Sequence, residues 1–379
     1  MARDTIDILR DMIAIDSVNP SLDSDRAGEG GVAEAVVADL RKMGLDVELQ
    51  DAAPGRPNVI GVLDSGKPGP SMMFCGHTDT VGVAGMERPF DPEFTDGKIY
   101  GRGSQDMKGG LAAMIGAAGV LADNGGPAVG RLIVAAVVDE EYSSVGARAL
   151  IKDWTADAAV VGEPTDMSVA VGHKGFEWVE IDVEGKAAHG SRPLEGLDAI
   201  LRMGRVLSRL EALDRKLQTH PPHPLMGTAS LHASLIEGGK EWSTYPDKCT
   251  LKMERRTVAG ECAEISMIEV EAILRELRAE DPKFRADARY VFGQPPYETP
   301  PDHPLASSLE NVMEGLGRPT TRSAMSFWTD AGVLGQAGIP SVIFGPTGAG
   351  LHSIKEHVVA DDVLVCQSAL VELVKDFCS

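Results

Sequence analysis

Cationic residues are scarce in this 379-residue chain: 36 Lys and Arg stand against 57 Asp and Glu, a net charge of -21 at pH 7. Such an excess repels a phosphate backbone or an anionic membrane surface, so neither nucleic acid nor membrane is expected as a partner. An acidic small-molecule ligand would need local cationic groups or metal ions. Cysteines number five, an odd count with no CxxC pair, which argues against a disulfide framework or a thiolate zinc knot and fits a reducing, cytoplasmic compartment. Aromatics are only 5% of the residues. No apolar run approaches the roughly 18 residues of a membrane span. Arg3, Asp4, Asp7, Arg10 and Asp11 interrupt the start of the chain, unlike the apolar core of a signal peptide.

What is present is ordinary globular composition, 43% hydrophobic and 25% charged, with a mean hydropathy of -0.07. The length exceeds what one hydrophobic core usually supports, so two domains are expected. Residues 5 to 15 and 32 to 43 carry helical periodicity. Runs at 46 to 50, 57 to 63, 71 to 76, 131 to 138 and 158 to 161 read as strands. This order predicts an α/β domain with a mixed, mostly parallel sheet flanked by helices.

From Phe176 the pattern changes to strand, helix (193 to 213), two strands (228 to 236 and 249 to 256), helix (262 to 279) and a last strand near 285 to 291. It predicts an inserted α+β unit. The Pro-rich stretch from Gln294 to Pro301 reads as the return linker; a helix near 304 to 315 and the apolar run 340 to 345 then resume the first domain. The expected division is a catalytic domain at 1–173 and 293–379, with an inserted domain at 174–292.

The chemistry gathers where predicted strands end. Met72-Met73-Phe74-Cys75-Gly76 leads into His77-Thr78-Asp79, 131 to 138 into Asp139-Glu140-Glu141, 158 to 161 into Gly162-Glu163-Pro164, and 340 to 345 through a Gly-rich loop into His352. Ligands of open α/β sheets bind beyond the strands' carboxyl ends. His and carboxylate donors suit zinc or a comparable divalent ion. Three charges from Asp106, Glu141 and Glu163, with one hydroxide, would balance two such ions, and two neutral His complete the donor set. Asp79 is placed to accept the second imidazole N–H of His77, and Glu140 remains free as a general base. Each residue also has a structural reading taken singly: Asp106 as a cap for the helix beginning near Gly109, the Glu pair as a complement to a helix dipole.

Five ordered segments resemble the metallohydrolase family of acetylornithine deacetylase, succinyl-diaminopimelate desuccinylase, aminoacylase and carboxypeptidase G. They are Gly76 to Val81, Gly101 to Gly110, Asp139-Glu140-Glu141, Gly162-Glu163-Pro164-Thr165, and His352-Ser353 with Glu356. The opening Ile15-Asp16-Ser17-Val18-Asn19-Pro20 is similar as well. The resemblance implies that His77, Asp106, Glu141, Glu163 and His352 bind two metal ions, zinc first and cobalt as an alternative, with Asp106 bridging. It makes Glu140 the base and Asp79 the group that orients His77, and it implies a cis peptide bond between Asp106 and Met107.

Under the same resemblance the inserted unit is a lid through which two copies dimerise. His189, in Ala188 to Pro193, reaches the other subunit's active site and stabilises the developing oxyanion. Arg256, in Glu254-Arg255-Arg256-Thr257, binds the α-carboxylate of a small substrate, while Arg255 is expected to end in solvent. Gly348 and Gly350 offer backbone N–H groups to the same carboxylate. Ser243 stands where many relatives have a substrate-contacting Asn, and Asp330 has a supporting role. The implied activity is hydrolysis of an N-acyl amino acid. A carboxypeptidase or dipeptidase of the same fold is the alternative, and a non-enzymatic binding protein, which would be expected to lack a ligand or the base, is the remaining one.

Overall fold

The computed structural model describes residues 3–83 and 85–379, which form two compact units: residues 3–83, 85–172, 298–323 and 329–379, and residues 173–297 with 324–328. In the first unit the strands run in the spatial order Asp46–Ala53, Arg56–Asp64, Arg131–Val137, Ser71–His77, Ala158–Val161, Ser341–Ile343 and Val169–His173, within a nine-stranded mixed sheet. Its centre is parallel: Ser71–His77 pairs that way with Arg131–Val137 and Ala158–Val161, and Ser341–Ile343 with Ala158–Val161. The flanking pairs are antiparallel.

Central parallel strands are covered on both faces, which explains the unbroken apolar run Met72-Met73-Phe74-Cys75, every residue fully buried. Beside the sheet lies the helix Gly109–Asp123, with 12 of its 15 residues buried. It comes close because Gly110 lacks a Cβ: one placed there would run into the carbonyl of Gly162. The C-terminal helix Ala360–Phe377 adds Val363, Cys366, Leu370 and Val374 to the same core.

Register aligns the carboxyl ends. His77 sits opposite Val137, and Cys75 and Ile343 both sit opposite Val161, so the turns after His77, Val137, Val161 and Ile343 leave from one edge. A small antiparallel sheet, Gly348–Ala349, His357–Val359, Lys98–Tyr100 and Glu93–Thr95, ties residues 98–100 to the hairpin that carries His352.

The second unit is an antiparallel sheet, ordered Ser230–Gly238, Lys248–Thr257, Gly175–Glu184, Arg285–Gln294, packed against the helices Ala199–Thr219 and Ile265–Glu280. The expected α+β order of elements is observed. Its first helix starts after Asp198, whose carboxylate accepts from the Leu201 N–H, rather than at 193. All five cysteines are free. Among the described residues no helix is long and apolar enough to cross a membrane.

Candidate metal centre

Asp106 is the pivot of the site. It lies in the kinked turn Ser104–Lys108 that precedes the buried helix, with φ -120° and ψ 96°, and its peptide bond to Met107 is cis. One carboxylate oxygen, Oδ1, lies 3.1 Å from Nε2 of His77, and the other, Oδ2, 3.2 Å from Nε2 of His352. Glu163 Oε1 approaches His77 Nε2 to 3.6 Å, and Glu141 Oε2 approaches His352 Nε2 to 3.4 Å. Two triads result, His77–Asp106–Glu163 and Asp106–Glu141–His352, each with donor atoms within 4.8 Å of one another.

These residues fit a pair of divalent ions. Nitrogen and oxygen donors without thiolate suit zinc or another first-row ion, and Glu141 Oε1 is a buried acceptor with no hydrogen-bond partner in the protein, an expensive state for a carboxylate unless a cation faces it. The electrostatics agree. Burial first, then the charges of neighbouring carboxylates, push Glu141 up to about 7 and hold Glu140 and Glu163 well above the usual carboxylate range. Hydrogen bonds to Asp106 and Glu141 raise His352 to about 10. His77 is also driven up: burial opposes its charge, but the carboxylates of Glu163 and Asp106 outweigh that.

Asp79 meets His77 through its backbone rather than its side chain. The acceptor nearest His77 Nδ1 is the Asp79 carbonyl oxygen, at 2.9 Å, while carboxylate Oδ1 lies 3.6 Å away. The carboxylate instead receives the backbone N–H groups of Glu140 and Glu141, each at 3.1 Å. Asp330, also buried, begins the helix Ala331–Gln336. One of its oxygens lacks a partner, and burial raises it to about 7.

Two residues quoted in the motifs but given no role act behind Asp106. Buried Glu356 accepts from the N–H groups of Gln105 (3.0 Å) and Asp106 (3.2 Å) and from Arg102 at 2.5 Å, and Arg102 also donates to the Gly82 carbonyl. Their signal was an Arg and a Glu inside matched segments otherwise explained as ligands and glycines. Gly348 leaves no room for a side chain beside the His357 carbonyl and Gln105, and Gly350 has φ +89°, so both glycines have a conformational reason to be present.

The other expected residues belong to the second unit. His189 is exposed, its Nδ1 2.8 Å from Ser191 Oγ, on a segment bridged to Thr244. Ser243 is exposed and its carbonyl accepts from Gly190 N–H at 2.7 Å. Arg256 donates from Nε to Glu254 at 2.6 Å and stacks over Phe176, 5.4 Å from the ring centre. Arg255 does not end in solvent: it is fully buried, gripped by Glu261 and Glu269 at 2.7 to 3.1 Å. It shares the inward face of its strand with Leu251 and Met253, as strand alternation requires.

Two histidine–carboxylate triads sharing one aspartate, set at the carboxyl edge of an α/β sheet, define a metallohydrolase type of centre. The chain belongs to peptidase family M20/M25/M40, whose sequence pattern matches residues 73–376, and it is a hydrolase acting on amide bonds. It is 31% identical to acetylornithine deacetylase of Myxococcus xanthus over 350 residues, covering 87% of this chain and 86% of that one. It is 27% identical to the N-formyl-4-amino-5-aminomethyl-2-methylpyrimidine deformylase of Bacillus subtilis over 385 residues, 92% and 89% of the two chains. In fold it is similar to aminopeptidase PepT from Bacillus cereus, with a TM-score of 0.83, 20% identity and coverage of 99% and 98%.

Proposed function

We propose that this protein removes the acyl group from an N-acylated amino acid, using two divalent metal ions, zinc or cobalt, held by His77, Asp106, Glu141, Glu163 and His352. The observation that carries the reading is the pair of triads pivoting on Asp106, with Glu140 adjoining the Glu141 ligand and outside both. Similarity to a deacetylase and a deformylase supports an acyl group on the substrate's amine side.

Bound there, the two ions would polarise the amide carbonyl and make a water easier to deprotonate. The chain's residues do the rest. Glu140 takes a proton from the attacking water and returns it to the leaving nitrogen, so that water adds across the C–N bond and the products are a carboxylate and a free amine. Asp79 holds the Glu140–Glu141 backbone and, through its carbonyl, the His77 ring. Arg256 and the backbone at Gly348 and Gly350 bind the substrate's carboxylate, Ser243 is a further substrate contact, and His189 of the other subunit donates to the developing oxyanion.

Dimerisation through the second unit, cytoplasmic residence and a substrate that is a small molecule belong to the same proposal. The edge strand Ser230–Gly238 supports dimerisation, since most of its residues, Leu235 and Ile236 among them, are exposed. The test is hydrolysis by metal-stripped and metal-reloaded protein against N-acetyl, N-formyl and N-succinyl amino acids and dipeptides. Metal-restored release of amine from one acyl class is expected. Cleavage confined to peptides would replace the deacylase with a peptidase, and no cleavage with about two metals bound would withdraw the catalytic reading.

A further inference from the structure

Behind the metal centre lies a second buried group of charges, Arg56, Glu29 and Asp139, that the proposed chemistry does not use. Arg56 opens the strand Arg56–Asp64. Its Nε donates to Glu29 Oε2 at 2.9 Å and its Nη2 contacts Glu29 Oε1 as well, a bidentate grip on a carboxylate that is fully buried. The same Nη2 lies 2.9 Å from Asp139 Oδ1 and 3.2 Å from Asn19 Oδ1. Asn19, itself buried, points its amide nitrogen at Asp79 Oδ2 (2.8 Å) and Asp139 Oδ1 (3.1 Å).

Asp139 immediately precedes the Glu140–Glu141 pair and has φ +69°, in the left-handed region that Asp tolerates better than most residues. Its Oδ2 accepts from Ser143 Oγ at 2.6 Å. Glu140 and Glu141 therefore follow a turn held at two points: their own N–H groups are on the Asp79 carboxylate, and the preceding carboxylate is on Arg56 and Asn19. Three buried carboxylates, Glu29, Asp79 and Asp139, share this guanidinium and amide. A planar fork suits the task, since one side chain must face several acceptors in fixed directions.

We propose that Arg56, acting through Asn19, is a positioning residue: it fixes the carboxylates of Asp79 and Asp139 and so aims Glu140 and Glu141 at the reaction centre. This rests on the reading of Glu140 as base and Glu141 as ligand. Arg56 lies outside both triads, and its effect reaches the centre only through Asp79 and Asp139.

The test compares Arg56→Met, Arg56→Lys, Asn19→Ala, Asp79→Asn and the double variant Arg56→Met/Asp79→Asn in the full-length protein. Two readouts are taken: steady-state kinetics, and titration of the stripped protein with Zn2+ or Co2+ alone. Partners behind metal ligands typically contribute about 10–100-fold in activity or metal affinity. Arg56→Met and Asn19→Ala should lower kcat by about that factor with KM within about twofold, Arg56→Lys should recover part of it, and the double variant should lose less than the product of the two single losses, because both changes cut the path through Asp79. In the titration one of the two metal equivalents, that of Asp106, Glu141 and His352, should weaken about tenfold. Should Arg56→Met not fold, Asn19→Ala cuts the path to Asp79 while Arg56 still faces Glu29 and Asp139. If folded variants lose only thermal stability, or if the kcat losses multiply in the double variant, the proposal is overturned. If no amide substrate is found, the metal titration still decides: a weakened equivalent upholds the positioning role while the catalytic reading falls, and two unchanged equivalents overturn it.

Discussion

The second unit and the metal centre of the first bury charge in opposite ways. In the second, Arg255 is fully enclosed but faces Glu261 and Glu269, and the buried carboxylate of Glu177 accepts from the N–H and Oγ of Ser266. In the first, Asp106, Glu141 and Glu163 meet around two histidines with a carboxylate oxygen of Glu141 unpartnered. Burial of like charges is tolerated only with compensation. Where the chain supplies its own counter-charge the group needs no ion, as at Arg255 and, in the first unit, at Arg56 and Arg102; where carboxylates converge without one, the arrangement suits cations.

The sharpest way to break this comparison is to remove the shared ligand. Asp106→Ala should cost both metal ions and nearly all activity, measured as metal per chain by atomic emission alongside turnover; retention of two tightly bound ions would show that the triads do not share Asp106. Glu140→Gln keeps the donor set and removes the proposed proton carrier. Metal content should stay at the wild-type level while kcat falls by about 10²–10⁴-fold, the range of general acid–base catalysis. A variant with wild-type turnover would take Glu140 out of the mechanism.

In the second unit the matching experiment is Arg255→Met. It strands two carboxylates whose partner was enclosed, and breaking a buried pair from one side costs about 3–5 kcal/mol, read by denaturant unfolding. Replacing Arg255, Glu261 and Glu269 together by apolar residues should recover much of that. If Arg255→Met costs under about 1 kcal/mol, the charge is less dependent on its partners than the geometry indicates.

How much of this was legible follows from the range of the interactions. The convergence of His77, Glu141, Glu163 and His352 could be read because each follows an apolar run that only a buried parallel strand explains, and parallel strands share a carboxyl edge. The face of Arg255 was also readable: alternation from Cys249 through Leu251 and Met253 assigns it inward, and the charge alone misleads. The Asp79 carboxylate was not, since two of its partners are backbone N–H groups 61 and 62 positions away, backbone donors leave no mark on residue type, and its side-chain donor Asn19 lies 60 positions off. The same holds for Glu356, which reaches the N–H groups of Gln105 and Asp106 across about 250 positions. The cis bond after Asp106 came from the family resemblance alone.

The mildest test of the comparison concerns a group in the second unit that has no counter-charge and remains neutral instead. His173 is fully buried, its Nδ1 2.9 Å from the Lys174 carbonyl and its Nε2 without a partner, with Tyr297 and Trp328 rings 5.9 Å away. Burial lowers it to about 4, against about 6.5 for an unfolded His. Between those values the unfolded chain binds a proton that the folded chain refuses, so stability falls as pH drops from 6.5 towards 4. The loss from this one group is about 1 kcal/mol at pH 5.5. His173→Phe removes the titration and keeps a ring among the aromatics, so its unfolding midpoint should fall less than the wild type's between pH 7 and pH 5.5. Parallel curves for the two proteins would mean that His173 gains a proton partner on acidification, and that neutrality is not how this unit handles its unpaired base.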